Sequence, residues 1–390
     1  MLSRKFAVVV ILSTGICLSA ILCTTPPKEE AVTDAYGGVF AGSAACAGCH
    51  RDIDTGFVHT PHYLDSRPAN AQTIHGSFER GRDSVIYHPS LAVILQRKDN
   101  GFIQAAYRNG KLVRSEPFDL VIGSGRKGQS YLYWRDQLLF QLPVSYFTPL
   151  DAWCESPGYT ADTPYYDRPV PASCLECHTT HAQTVFRSSR DYGDRYDSSR
   201  LIFGITCEKC HGPGSQHIAF HTRHPEEKQG KYILNPGRMT RQQRLDACAL
   251  CHSGSRVPLK PAFSFRVGDR LDGFSGPKFD PANAATLDVH GNQYGLLTSS
   301  KCFAATQMDC STCHTVHANN TGGLKAYSQR CISCHGGVRH TSAVSADNCI
   351  DCHMPALPSQ KIVMHLSGQS DTGKVVSNFV RTHRIAIYRP

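Results

Sequence analysis

The clearest alternation of apolar and polar residues lies between residues 83 and 148, and it predicts antiparallel β structure. Apolar runs at residues 91–95 and 102–107 flank Asp99-Asn100-Gly101, a sequence typical of a hairpin turn. Further turn signals and apolar runs follow in the same segment: Asn109-Gly110, residues 130–134, Arg135-Asp136-Gln137 and residues 138–142. We therefore expect a β-rich insertion in this part of the chain.

The amino-terminal residues have the layout of an export signal. Arg4 and Lys5 precede an apolar stretch, residues 6–22, that is interrupted only by small residues and by Ser or Thr. Cleavage after Ser19 or Ala20 would remove a signal peptide. The alternative is an uncleaved segment that anchors the chain in the membrane, since the stretch is just long enough to span it.

The later part of the chain shows little periodicity. From Cys174 onward Gly, Pro, Ser and Asn are frequent, which predicts short helices joined by loops. The better helix candidates are residues 51–63 and 241–249. This region is too rich in cysteine and histidine for an ordinary aliphatic core, so its apolar interior must come from another source.

One five-residue pattern, Cys-x-x-Cys-His, occurs seven times and uses fourteen of the 18 cysteines, where chance would give about 0.04 copies. The two cysteines of such a motif form thioether bonds to a haem, and the histidine binds its iron as the proximal ligand. Zinc sites also use cysteine pairs, but they do not require a histidine directly after each pair. We predict seven covalently bound haems c. The attachment residues are Cys46, Cys49 and His50; Cys174, Cys177 and His178; Cys207, Cys210 and His211; Cys248, Cys251 and His252; Cys310, Cys313 and His314; Cys331, Cys334 and His335; and Cys349, Cys352 and His353.

The formal charge of +9 at pH 7 has a different meaning once haems are included. Each haem carries two propionates, so the basic residues balance the charge of the cofactors, and we exclude a nucleic-acid partner. Stacked porphyrins would also supply the missing apolar interior.

These features predict an α+β protein with few regular elements. We expect a multihaem cytochrome c fold of short helices and loops around stacked haems, with the antiparallel β insertion near residues 83–148. The gap between the first two motifs is the longest, and it holds this insertion. The predicted segments are a signal peptide or amino-terminal anchor at 1–23, a linker at 24–40, a first haem segment at 41–82, the β-rich insertion at 83–150 and a six-haem cytochrome domain at 151–390.

The sixth iron ligand separates an electron carrier from an enzyme, because an enzyme needs an iron with an open position. Seven of the 20 histidines are proximal, and the others suffice for two histidines on every iron. His181 and His317 each follow a proximal histidine by three residues, and His217 follows a Gly-Pro-Gly turn. The predicted distal ligands are His62, His181, His217, His290, His317, His340 and His383, with His59 as the competitor of His62 and His365 as the rival of His383.

Other candidate ligands are few. Only Met308 and Met364 lie where an axial methionine is conceivable, and the Cys-x-x-Cys-Lys motif of a lysine-ligated catalytic haem does not occur. Cys154 and Cys302 are the cysteines outside the signal segment that no motif uses, and a disulfide between them stays an open alternative. The histidines assigned to the surface or to haem propionates are His75, His88, His221 and His224.

Three stretches carry a family resemblance: residues 46–50 followed by Phe57, Thr60 and His62; CEKCHGPGSQH at 207–217; and CIDCHMP at 349–355. On these the chain resembles multihaem cytochromes with the cytochrome c-552/4 (cytochrome c-554 and c-prime) type of haem domain, across most of residues 41–390. That group is related to hydroxylamine oxidoreductase and the multihaem nitrite reductases. The glycine-rich residues 123–131 are also similar to a segment of exported multihaem proteins. The resemblance implies electron transfer through closely packed haems.

The sequence thus predicts an exported, periplasmic electron carrier to which no catalytic residue is assigned. Its expected partners are other cytochromes or a membrane complex that oxidises quinol. A different class of function is a reductase or oxidoreductase of a small nitrogen or sulfur compound at one five-coordinate haem. A third is a structural unit of a cytochrome filament.

Overall fold

The computed structural model describes residues 30–99, 101–159, 163–185, 193–278, 281–319, 323–338, 347–366 and 374–388. The predicted signal or anchor and the first part of the predicted linker lie outside the described residues. Residues Thr33–Pro390 group together as one unit. In the described ranges no helix is both long enough and apolar enough to cross a membrane.

An antiparallel sheet of four strands, in the order β2-β3-β4-β5, occupies the first half of the segment with the alternating pattern. Asp99 and Asn109 both have φ of 50°, the left-handed conformation that tight hairpin turns require. β3 and β4 pair from Leu91 with Arg108 to Lys98 with Gly101. The strands are β2 (Ser84–His88), β3 (Leu91–Lys98), β4 (Gly101–Arg108) and β5 (Lys111–Pro117).

A larger antiparallel sheet extends beyond residues 83–150. Its path is β1-β6-β7-β8-β11, with β9 paired to β7 and β10 paired to β9. Strands from the predicted first haem segment and from the predicted six-haem domain therefore complete it. The strands are β1 (Ser66–Pro68), β6 (Leu120–Ile122), β7 (Gly128–Arg135), β8 (Leu138–Gln141), β9 (Val144–Phe147), β10 (Ala152–Glu155) and β11 (Arg168–Pro169).

An aromatic core packs against these two sheets. Tyr131, Tyr133 and Phe140 are fully buried, and the ring of Trp153 lies 5.6 Å from that of Phe78 in an edge-on contact. Burial of each large side chain of this kind contributes about 1.5–3 kcal/mol to stability. The β-rich part therefore has a conventional core made of its own side chains.

The motif-bearing regions consist of short helices and two-stranded ribbons. The helices are α1 (Ser43–Ala47), α2 (Arg51–Phe57), α3 (Ala172–His178), α4 (Cys207–His211), α5 (Ser215–Arg223), α6 (Arg241–His252), α7 (Gln293–Thr298), α8 (Lys301–Ala305), α9 (Gly323–His335) and α10 (Ile350–His353). The ribbons pair β12 (Thr179–Thr184) with β13 (Tyr196–Phe203), β14 (Arg256–Pro258) with β15 (Ser275–Pro277), and β16 (Ala356–Leu366) with β17 (Lys374–Arg381). The sequence analysis did not predict these ribbons.

Candidate haem sites

Helical turns shape most of the Cys-x-x-Cys-His motifs. Residues i, i+3 and i+4 share one face of a helix, so a helical turn places both cysteines and the histidine on the same side. α3, α4, α6, α9 and α10 each end at the proximal histidine of their motif. α6 begins with a capping box between Thr240 and Gln243, which fixes its first turn. The fifth motif lies in the 3-10 turn Cys310–Thr312 instead.

The proximal histidines are not isolated from the other histidines. Within the described residues, four motif histidines each have a second imidazole nearby, and the distance between ring centres is similar in all four pairs. In each pair the second histidine comes from outside the seven motifs. The distances between ring centres are 6.4 Å for His50 and His217, 6.1 Å for His211 and His317, 6.0 Å for His252 and His62, and 6.1 Å for His314 and His383.

This distance fits two imidazoles that bind one metal from opposite sides. An imidazole nitrogen binds a metal at about 2 Å, and its ring centre lies about 1 Å further away, which puts two such ring centres about 6 Å apart. The interplanar angle is 16° for His50 with His217 but 74° for His252 with His62, so both parallel and crossed ring orientations occur.

Hydrogen bonds orient several of these imidazoles. The Nδ1 atoms of His211, His217 and His353 donate to the carbonyl oxygens of Leu234, Lys231 and Ala386, at 2.8, 2.9 and 2.9 Å. A histidine whose Nδ1 carries the proton offers the lone pair of Nε2 to a metal. The carbonyl groups therefore fix the ring position and the tautomer that haem ligation requires.

Desolvation favours the neutral form of several paired imidazoles. It is the main cause that lowers the pKa of His62, His252, His314 and His317 below the ordinary value. Burial, with a further contribution from His314, lowers the pKa of His383 to about 4. Neutral imidazole is the form that binds metals.

The proximal histidine of the second motif has a different partner. His178 Nδ1 donates to Asp65 Oδ2 at 2.8 Å, so a carboxylate rather than a carbonyl accepts this hydrogen bond. Burial acts to lower the pKa of His178, but the hydrogen bond and the charge of Asp65 outweigh it and raise the pKa. Sequence reasoning did not single out Asp65, because no spacing rule connects residue 65 with residue 178.

The motif-bearing elements also pack against one another. α1, which holds Cys46, contacts α4, and α3 contacts α6. α6 also contacts the 3-10 turn Cys310–Thr312, and α9 contacts α10. Cys177 Sγ lies 3.7 Å from the carbonyl oxygen of Leu250, inside the fourth motif. These contacts bring motifs 1 and 3, 2 and 4, 4 and 5, and 6 and 7 side by side.

Two buried polar groups in the motif region suit a bound haem. His181 Nε2 is buried without a hydrogen-bond partner, and the ring lies 5.1 Å from Phe40 and 5.5 Å from Phe263. Arg67 has buried Nε and Nη2 atoms that also lack a partner. An imidazole nitrogen can bind an iron, and a guanidinium can bind a propionate, so these atoms fit the group that the motifs imply.

The predicted distal ligands fall into two groups. His62, His217, His317 and His383 each face a motif histidine, as described above. His181 packs against phenyl rings, and the backbone N–H of His290 donates to Asp288 at 2.8 Å. Within the described residues, neither ring faces a motif histidine. His340 and the side chain of His365 lie outside the described residues.

Cys154 and Cys302 do not form a disulfide. Cys154 is buried, and its Sγ lies 3.9 Å from Met364 Sδ. Met364, which the sequence analysis considered as an axial ligand, is therefore occupied in a small buried cluster with Cys154 and Phe147.

Comparison with known proteins agrees with the motif chemistry. The family model of cytochrome c554 and c-prime matches residues 160–212, which hold the second and third motifs. The multihaem cytochrome MtrA of Shewanella baltica (strain OS185) is 24% identical over 195 residues, which are 46% of this chain and 52% of the relative. The chain spans about half the length of this curated relative, and no solved structure matches it. These matches support a multihaem c-type cytochrome with haem c as its cofactor.

Proposed function

We propose that the chain is an exported heptahaem cytochrome that transfers electrons along closely packed haems with two histidine ligands each. The four imidazole pairs at 6.0–6.4 Å carry this proposal. Two imidazoles on one iron leave no coordination position for a substrate, which suits an electron carrier. His178, His335 and His353 would draw their distal ligands from the remaining predicted histidines.

Packing between the motif-bearing elements supports neighbouring haem sites. With the motifs numbered along the chain, the elements in contact carry motifs 1 and 3, 2 and 4, 4 and 5, and 6 and 7. Neighbouring sites are the arrangement that stepwise electron transfer requires.

The protein residues have three tasks in this proposal. The haems, when bound, supply one-electron redox chemistry. The four imidazole pairs would hold the irons of four sites, and the carbonyl oxygens of Leu234, Lys231 and Ala386 keep His211, His217 and His353 in the ligating orientation. Arg67 would pair with a propionate through its buried nitrogens.

The location and the partners follow from the same proposal. Haem is attached to Cys-x-x-Cys-His motifs outside the cytoplasm, and the amino-terminal residues have the pattern of an export signal. We place the protein in the periplasm, either free or held at the membrane by the uncleaved segment. Its partners would be other cytochromes or a membrane complex that oxidises quinol.

One observation favours a second candidate function. The carboxylate of Asp65 bonds to His178, and a carboxylate partner makes a ligating imidazole more basic. A strongly donating proximal ligand is useful at an iron that binds and reduces a substrate. If site 2 has an open distal position, the protein would be a reductase of a small nitrogen or sulfur compound.

Ligand-binding kinetics of the purified holoprotein distinguish the two functions. Carbon monoxide is mixed with the dithionite-reduced protein, and nitrite with the oxidised protein, while the haem absorption bands are followed. The electron carrier predicts slow or no binding, because each ligand must displace an imidazole. Rapid binding by one-seventh of the haem would favour the reductase.

A further inference from the structure

One turn of the chain touches two neighbouring haem sites. His62 faces His252 of the fourth motif with 6.0 Å between ring centres, and three residues later Asp65 accepts the hydrogen bond from His178 of the second motif. The backbone N–H of Asp65 donates to the carbonyl of His62 at 3.2 Å, which closes the turn. The segment from His62 to Asp65 therefore fixes a ligand of one site and the partner of a ligand at the other.

Independent contacts show that these two sites are adjacent. Cys177 Sγ of the second motif lies 3.7 Å from the carbonyl oxygen of Leu250, inside the fourth motif, and α3 packs against α6. The charge of Asp65 acts on His62 and His252 as well as on His178. One carboxylate thus lies next to histidines that belong to both sites.

The β-rich part of the protein holds Asp65 in place. Asp65 directly precedes β1, which pairs with β6 from Ser66 with Ile122 to Pro68 with Leu120. The backbone N–H of Gly123, at the end of β6, donates to the carbonyl of Asp65 at 2.5 Å. The turn between β6 and β7 is therefore bound directly to the residue that contacts His178.

The glycines of this turn are required by its close contacts. Gly123 has φ of 99°, and a Cβ there would lie 2.8 Å from the carbonyl oxygen of Gly128. Gly125 has φ of 87°, and a Cβ there would lie 2.3 Å from the ring of His75. A side chain at either position would distort the turn. Gly123, the first of the glycine-rich residues 123–131, thus holds the backbone of Asp65 through its N–H group.

We propose that the β-rich part lowers the reduction potential of the haem at Cys174–His178 by holding Asp65 against His178. This inference rests on the proposed attachment of a haem at this motif. A carboxylate partner raises the basicity of a ligating imidazole and stabilises the oxidised iron. Carbonyl partners, as at His211 and His353, have a weaker effect because they carry no charge.

A positive group also lies near Asp65 and works in the opposite direction. Arg67 lies in β1, two residues after Asp65 in the sequence, and the charges of the two side chains interact. Arg67 does not hydrogen-bond to Asp65 through its buried Nε and Nη2, whereas His178 does contact Asp65. Because the hydrogen bond between His178 and Asp65 is direct, we expect the negative charge of Asp65 to outweigh the positive charge of Arg67 in its effect on the reduction potential.

The test is the set of seven midpoint potentials in the Asp65→Asn holoprotein, measured by redox titration of the optical spectrum. We expect the potential of one haem to rise, with at least a tenfold higher ratio of reduced to oxidised haem at fixed potential, which is about 59 mV for one electron. The neighbouring fourth haem should shift less, because the carboxylate of Asp65 hydrogen-bonds to the His178 ring and, within the described residues, to neither the His62 nor the His252 ring. Asp65→Glu keeps the carboxylate and should restore most of the original potential.

Asp52→Asn is the matched control. It removes one carboxylate from the exposed surface of α2, and it should leave every potential within the error of the titration. The EPR spectrum gives a second readout, because the g values of one ferric haem should change in Asp65→Asn and not in Asp52→Asn. Unchanged potentials and unchanged g values in Asp65→Asn would overturn the inference.

Failure of the proposed haem attachment gives a different result from failure of this inference. Peptide mass analysis of the wild-type protein would then find no haem on the peptide with Cys174 and Cys177. If Asp65→Asn itself loses this haem, Gly123→Ala takes its place, since it keeps the Asp65 carboxylate but displaces it from His178. We expect Gly123→Ala to raise the same potential by a smaller amount, and seven unchanged potentials would again overturn the inference.

Discussion

At the scale of single residues, one buried carboxylate joins the first and third haem motifs. Glu208 lies inside the third motif and is 3% exposed. It accepts hydrogen bonds from the backbone N–H groups of Ala41, Gly42 and Gly214, at 2.8, 2.9 and 2.8 Å. Two of these donors precede the first motif, so Glu208 binds segments that are about 166 residues apart.

We expect Glu208→Ala to destabilise the protein by about 3 kcal/mol, because three buried N–H groups lose a charged acceptor. Chemical denaturation of the holoprotein, followed by circular dichroism, measures this loss. The control is Glu226→Ala, since the Glu226 side chain is 75% exposed, and it should change stability by less than about 0.5 kcal/mol. Equal stability of the two variants would contradict this role of Glu208.

A second carboxylate gives a prediction about pH. The hydrogen bond from Arg114 is the main cause that lowers the pKa of Asp167, and Arg135 adds to it. Because the folded state has the lower pKa, the stabilisation is complete above the unfolded value of about 4 and is lost as the pH falls through the folded value.

Asp167→Asn should therefore destabilise the protein by about 1 kcal/mol at pH 7, since the ion pairs are partly exposed. The difference from wild type should shrink below about pH 4. Urea denaturation at several pH values tests this, and a difference that stays constant to pH 3 would show that the charge of Asp167 is not its cause.

At the scale of secondary-structure elements, most of the proposed iron ligands lie at helix ends and in the turns that follow. His317 follows His314 by three residues and faces His211 of another motif. His217 lies in α5, directly after the turn at Gly212 and Pro213, and faces His50. In the proposed arrangement, the segment after one motif supplies the distal ligand of an earlier one.

His317→Ala should open one iron of the seven. We expect a high-spin ferric signal of about one-seventh of the total haem, together with new and rapid binding of carbon monoxide, because the imidazole opposite His211 is gone. EPR and stopped-flow absorbance measure both effects. His224→Ala is the control, as its ring contacts Phe220 and not a motif histidine, and a low-spin spectrum for both variants would rule out His317 as a ligand.

The sequence predicted these elements unevenly. The hairpins that turn at Asp99 and Asn109 lie where the turn sequences predict them. A tight hairpin is specified by the residues of its turn and the strands on either side, which are adjacent in the sequence. The facing positions of His217 and His317 agree with their short offsets from a motif. The pairing of His62 with His252 and of Asp65 with His178 joins residues more than 100 positions apart, and no local pattern specifies such contacts.

Local sequence patterns also did not predict where the β-rich part begins and ends. β1, β10 and β11 are short strands whose sequences have too few residues to show an alternation. They are strands because β6, β9 and β8 offer hydrogen-bonding edges to them. The same holds for β14 and β15, which have three residues each and pair only with one another.

At the scale of the whole molecule, the protein has two kinds of interior. The β-rich part buries its own aromatic and aliphatic side chains around Tyr131 and Trp153. In the part of the chain that contains α9 and α10, Ser328 and Ile350 are buried. The motif cysteines of this part are half-buried or exposed to solvent. Haem would supply much of the apolar contact there.

We therefore expect a protein without its export signal to fail in a specific way. Deletion of residues 2–20 should leave the chain in the cytosol without haem, and limited proteolysis should cut the motif-bearing regions first. Fragments that contain residues 84–155 should persist longest, because their core does not depend on haem. Haem-loaded protein in the cytosolic fraction would contradict both the export and this explanation.

The most direct test of the central claim combines a haem count with a spin count on the purified, fully oxidised protein. Intact mass gives the number of covalently bound haems, and integrated low-temperature EPR gives the fraction of low-spin iron. We predict seven haems, all low-spin, because four motif histidines have a second imidazole at 6.0–6.4 Å and the remaining predicted histidines would serve the other three irons. Five or fewer haems, or a high-spin signal near one-seventh of the total, would contradict it.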